Sequence, residues 1–187
     1  MAHNLTCRMV VLAGMWLLYG IAGLQATVLL PADLPELVTA AQAIVVGRVS
    51  DVQSGWVEGR RRIETVITVE VVEHLKGRFG SVVNVRVPGG RMGRYRHVVV
   101  GAPRFEPGDD VVLFLRANGP SLPFIVGLSQ GVFRVVANGS GEALVLPPPL
   151  AGAAASAIPV VRGEPARRPL TWRAFRDQIR SLSPTPN

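Results

Sequence analysis

Apolar residues along this chain recur mostly at every second position, the spacing of strands with one buried face. From Ile63 to Leu75 the odd positions are Ile63, Thr65, Ile67, Val69, Val71, Glu73 and Leu75. The even ones are Glu64, Val66, Thr68, Glu70, Val72 and His74, so one face of this predicted strand is nearly all apolar. Val83, Val85 and Val87 alternate with Asn84 and Arg86 in the same way. Ala43 to Val52 is a β-branched run that Gln53-Ser54-Gly55 is expected to break. Val111 to Arg116 and Gly131 to Val136 give two more strands, with turns expected at Pro88-Gly89-Gly90, Asn118-Gly119-Pro120 and Asn138-Gly139. The stretch from Arg91 to His97 reads as a loop or irregular hairpin, followed by the short apolar run Val98 to Val100 and a turn-rich segment.

Helical signals occur only near the two ends. Asp33 is placed to cap a short helix with Pro35 in its first turn, and Thr171 to cap one whose Trp172, Phe175, Ile179 and Leu182 share a face. No predicted strand is followed by a crossover helix, which excludes a βαβ enzyme fold. The expected fold is therefore all-β: a closed or partly open antiparallel OB-like barrel, with a short N-terminal helix and a C-terminal amphipathic helix.

Met9 to Leu24 form an apolar run of 16 residues preceded by one charge, Arg8, and followed by Gln25-Ala26. This pattern is that of a signal peptide over residues 1–26, and it predicts a secreted or periplasmic protein. If uncleaved, residues 9–30 would act as an anchor with the body still outside. The remaining divisions are a β-barrel domain over 27–146, a Pro/Ala-rich linker over 147–169 and the helix over 170–183.

Cleavage before Thr27 would remove the single cysteine, Cys7, and so exclude disulfides, thiol catalysis and cysteine-ligated zinc from the exported chain. Glu70 and His74 share a predicted strand face but lie about 13 Å apart, too far to hold one ion. Asp109-Asp110 reads as a turn or cap, and no metal or cofactor is expected. Gly127-Leu128-Ser129-Gln130-Gly131 fits G-x-S-x-G, yet a predicted strand follows where a nucleophile elbow needs a helix, so a turn is expected.

Arginine is the unusual residue: 20 Lys+Arg residues face 13 Asp+Glu, and Lys76 is the only lysine. Of the clusters, Arg91, Arg94, Tyr95 and Arg96 lie between strands, where the flanking glycines and Pro88 leave them free to meet a partner, and they are the candidate binding residues. An acidic envelope polymer, a lipid head group or a protein is the expected contact. Nucleic acid is not, since export removes the chain from most of it and Tyr95 is the sole aromatic among these β-region clusters.

The segments Ala43-Ile44-Val45-Val46-Gly47-Arg48-Val49 and Val71-Val72-Glu73-His74-Leu75-Lys76-Gly77 resemble the start of netrin-like domains, which include the tissue inhibitors of metalloproteinases. Residues 28–137, with Gly101-Ala102-Pro103-Arg104-Phe105-Glu106-Pro107-Gly108-Asp109, more closely resemble exported bacterial proteins that carry no assigned activity. The netrin-like resemblance implies an OB-type barrel. Inhibitors of that family chelate the protease zinc through an N-terminal cysteine, whereas the mature end here would be Thr27. Three readings follow: an exported non-enzymatic binding module, an inhibitor or accessory of a secreted (metallo)protease, and a small serine hydrolase using Ser129. The exported protein is expected to begin within a few residues of Thr27, which N-terminal sequencing checks; an intact Met1 on the exported form contradicts it.

Overall fold

In the computed structural model, which describes residues 32–139, 141–148 and 168–183, Asp33 begins the first helix, α1 (Leu34–Ala40). Its carboxylate accepts from Glu36 N at 2.8 Å and the Glu36 side chain accepts from Asp33 N at 3.1 Å, a reciprocal capping box that satisfies two free N–H groups. The other end of α1 is held by the only lysine: Lys76 Nζ donates to the carbonyls of Val38 and Ala41 at 2.6 and 2.8 Å. A cation there complements the helix dipole and pins the helix to the sheet.

Ten strands follow in order. They are β1 (Ala43–Val57), β2 (Arg62–Lys76), β3 (Val82–Pro88), β4 (Gly90–Met92), β5 (Tyr95–His97), β6 (Asp110–Asn118), β7 (Ser121–Ile125), β8 (Val132–Ala137), β9 (Ala143–Leu146) and β10 (Leu170–Thr171). A 3-10 turn, Leu128–Gly131, lies between β7 and β8, and α2 (Trp172–Leu182) ends the described chain. The main sheet runs β1-β2-β3-β7-β6-β8-β9-β10, and β1 also pairs with β6, so the pairings of β1, β2, β3, β7 and β6 return to β1. The β4–β5 hairpin forms a separate two-stranded sheet.

Two apolar clusters lie on opposite sides of β6. The first gathers Val45 and Val49 of β1, Ile67 and Val69 of β2, Val83, Val85 and Val87 of β3, Ile125 of β7, and Val111, Leu113 and Leu115 of β6. The second joins Val112 and Phe114 of β6 to Leu37 and Val38 of α1 and Phe175 and Ile179 of α2. Phe133 lies within it, 5.4 Å from the Phe114 ring and 5.3 Å from that of Phe175. Thr171 caps α2 by accepting from Ala174 N, and Arg176 ties the helix to β2 through Glu73 at 2.9 Å. Burying Phe175 and Ile179 contributes roughly 1.5 to 3 kcal/mol each, more than the cap and the ion pair together.

The structure departs from the sequence expectations at several points. Strand β1 continues through Gln53-Ser54-Gly55 to Val57, because each of these residues pairs with β2 and the Ser54 hydroxyl meets that of Thr65 at 2.9 Å. The alternation of β2 is interrupted where Val72 has no partner on β1, a bulge that turns Glu73 toward α2 and sets His74 opposite Val45. Glu70 and His74 therefore do not share a face. The main sheet, expected to be antiparallel throughout, contains one parallel contact, Arg86 with Phe124, and β7, β9 and β10 add strands that periodicity does not announce. Residues 1–31 and 149–167, which carry the signal and most of the linker expectations, lie outside the described residues.

Asp109 and Asp110, read as a turn or cap, do turn the chain into β6 and send their side chains to different arginines. Asp110 accepts two bonds from Arg48 at 2.8 Å each. Asp109 lies 2.6 Å from Arg134 and accepts from Glu106 N at 2.8 Å. The bond from Arg48 holds the Asp110 carboxyl below the usual carboxylate range. At Asp109, burial opposes ionisation most strongly, but the bonds from Arg134 and the Glu106 N–H together outweigh it and its pKa is also lowered. Carboxyls lowered in the folded state stabilise it above their unfolded pKa, and that contribution is lost as pH falls through the folded values. Asp109→Asn is therefore expected to cost about 1 kcal/mol at neutral pH, with the gap from wild type closing as thermal unfolding is followed down toward about pH 3. Lys76→Met, which leaves two helix-end carbonyls without their cation, should cost about 2 kcal/mol in urea unfolding, against less than about 0.5 kcal/mol for Val72→Ser on the exposed bulge.

Candidate functional site: an arginine hairpin

All four candidate binding residues fall on the β4–β5 hairpin, whose ladder pairs Gly90 with His97, Arg91 with Arg96 and Met92 with Tyr95. The hairpin is laid against the far end of the β1–β2 arm by local chemistry. A Cβ on Gly90, whose φ is +149°, would sit 2.5 Å from Thr65 Oγ1 and 2.6 Å from Ser54 Oγ, so only glycine lets the chain lie this close. Around it runs a polar relay. Arg91 N donates to Ser54 Oγ at 3.4 Å, Ser54 bonds Thr65 at 2.9 Å, and the Thr65 hydroxyl donates to Gly89 O at 2.8 Å. Since Thr65 gives its proton to Gly89, Ser54 must be the donor between the two hydroxyls. His97 adds a contact from Nδ1 to Ile63 O at 3.2 Å, which requires the proton on Nδ1.

Tyr95 packs edge-on against Trp56 of β1, with ring centres 5.5 Å apart. The Arg94 guanidinium lies 5.0 Å from the Tyr95 ring centre, and its Nη2 donates to the Tyr95 hydroxyl at 2.9 Å. Arg91 Nε donates to the Gly93 carbonyl at 3.2 Å. Tyr95 remains 50% exposed, and the three arginines are all exposed.

The hairpin arginines have no acid partner among the described residues, as is also true of Arg60, Arg61, Arg78 and Arg104. Among the described residues, Arg48, Arg62, Arg86, Arg134 and Arg176 each pair with an acid, and Arg91, Arg94 and Arg96 pair with none. Arg91 and Arg96 moreover face each other across the ladder, an arrangement that destabilises a hairpin when the charges are alike. The sequence carries a signal for this that the arginine clusters alone do not convey: residues 74–105 contain no Asp or Glu at all. Trp56 was not among the expected site residues, since it lies beyond the point where β1 was expected to stop.

The other candidates are not assembled. Ser129 lies in the 3-10 turn between β7 and β8, its backbone N–H donating to Gly101 O at 2.9 Å. A Cβ on Gly131 would collide with the Val126 carbonyl, so the G-x-S-x-G glycine serves a close backbone crossing. No histidine or carboxylate among the described residues bonds the Ser129 hydroxyl, and no group of three metal-ligating side chains forms among them. Thr27 lies outside the described residues. No helix among them is long and apolar enough to cross a membrane. No family model, curated protein or solved structure matches this chain.

Proposed function

We propose that the protein is an exported, non-enzymatic binding module that grips an anionic partner with Arg91, Arg94, Tyr95 and Arg96. Export is supported by the run Met9 to Leu24 before Gln25-Ala26. The frame is read as a closed OB-like barrel, supported by the return of the pairings to β1 and by an inner apolar cluster drawn from all five strands of that circuit. In this reading the hairpin between β3 and β6 is an insertion that overlies one end of the barrel, where such folds bind their ligands. A netrin-like relationship is part of the same reading and rests on the same connectivity.

The observation that carries the function is the facing pair Arg91 and Arg96 with no acid to neutralise it. A like-charge pair costs stability in the free protein, and an anion placed between the two guanidiniums converts that cost into affinity. Arg96→Glu separates binding from stability, because it creates an opposite-charge pair with Arg91 while removing the anion site. Thermal unfolding should show an unchanged or slightly raised melting temperature, and retention of a soluble polyanion such as dextran sulfate should fall at least tenfold, with wild-type binding declining steeply with salt. Salt-independent binding that Arg96→Glu leaves intact would rule out the hairpin as the site.

A further inference from the structure

Exposed apolar side chains continue the arginine hairpin. Val98 and Val100 follow β5 directly and are 63% and 76% exposed, among the most exposed large apolar residues described. The backbone between them passes Gly89, whose added Cβ would lie 3.6 Å from Val99 N, so the valines leave the hairpin at its base and remain beside it. Val98 follows the end of β5 two residues after Arg96, and Arg96 faces Arg91. The opposite side of the hairpin, with Tyr95 and His97, turns back to Trp56 and the Ile63 carbonyl. The exposed surface of the stretch from Arg91 to Val100 is therefore cationic and apolar at once.

We infer that this hairpin and the valines after it dock on the surface of a bilayer that contains anionic phospholipid. The inference rests on the proposed anion-binding role of the hairpin and names its partner. A hydrated acidic polymer would be satisfied by the guanidiniums and gains nothing from two valines held in water. At a bilayer interface both halves are used: arginines meet lipid phosphates and valines enter the zone between head groups and acyl chains. Positions 74 to 105 hold no acid, and outside the hairpin Arg78 and Arg104 are exposed and pair with none among the described residues, which adds to the positive charge of this stretch. This is surface attachment and requires no spanning segment.

The test uses the processed protein recovered after export, so that residues 1–26 add no membrane affinity of their own. Co-sedimentation is measured with vesicles of 30% phosphatidylglycerol in phosphatidylcholine (about one anionic lipid in three, a common anionic range), with pure phosphatidylcholine vesicles, and with dextran sulfate in solution. Wild type should bind the anionic vesicles and not the neutral ones. Val98→Ser with Val100→Ser should lose about tenfold in vesicle affinity and none for dextran sulfate, Val100→Phe should gain on vesicles alone, and Arg96→Glu should lose on both. Melting temperatures should stay level, since both valines are exposed. Vesicle binding that ignores the valine substitutions, or binding of dextran sulfate without binding of vesicles, overturns the bilayer inference and leaves the hairpin as an anion site. Failure to bind either overturns both.

Discussion

Val111, Val112, Leu113, Phe114 and Leu115 are all fully buried, and successive strand residues point to opposite faces, so β6 needs apolar cover on both sides. One side is covered by the valines and isoleucines of β1, β2, β3 and β7, and the other by α1 and α2. Its edges are also used: β1 runs along one, while β7 and then β8 share the other. The remaining architecture follows from satisfying this strand. The helices are short because each has only to close part of one face, and Lys76 and Arg176 fix them where the apolar contact is made.

A frame organised in this way uses only part of the chain between β3 and β6: Phe105 joins the inner cluster and Asp109 bonds Arg134, while the β4–β5 hairpin enters neither cluster. That chain holds an acid-free run of arginines, a two-stranded ladder of three residue pairs and two exposed valines. The hairpin is attached by a hydroxyl relay, one histidine contact and an edge-on aromatic pair, and it contributes nothing to either buried cluster. Its facing arginines are tolerated because the stability of the protein is secured elsewhere. The same separation lets the hairpin be substituted without unfolding the frame.

Strands with one buried face were legible in the sequence, because Ile67, Val69, Val83, Val85 and Val87 alternate with polar residues in a way only a pleated sheet explains. Both helix caps were legible for the same kind of reason, a named side chain at a named position. Strand β7 was not: Pro123 sits within it and its residues do not alternate. The bulge at Val72 was also hidden, since it depends on the register of β1 and not on β2 alone. At the site, the arginines and Tyr95 were visible as a local cluster, while Trp56 reaches them only through a β1 longer than its Gln53-Ser54-Gly55 segment suggests.

The central claim is that a frame built on β6 carries an energetically separate hairpin, and native-state hydrogen exchange tests it most directly. Amides of Val111 to Leu115 should exchange only through global unfolding, while those of Arg91 to His97 should exchange through a local opening of much lower free energy that leaves β6 protected. Hairpin amides that exchange at the same free energy as β6 would contradict the account, because the hairpin would then be part of what holds the protein together.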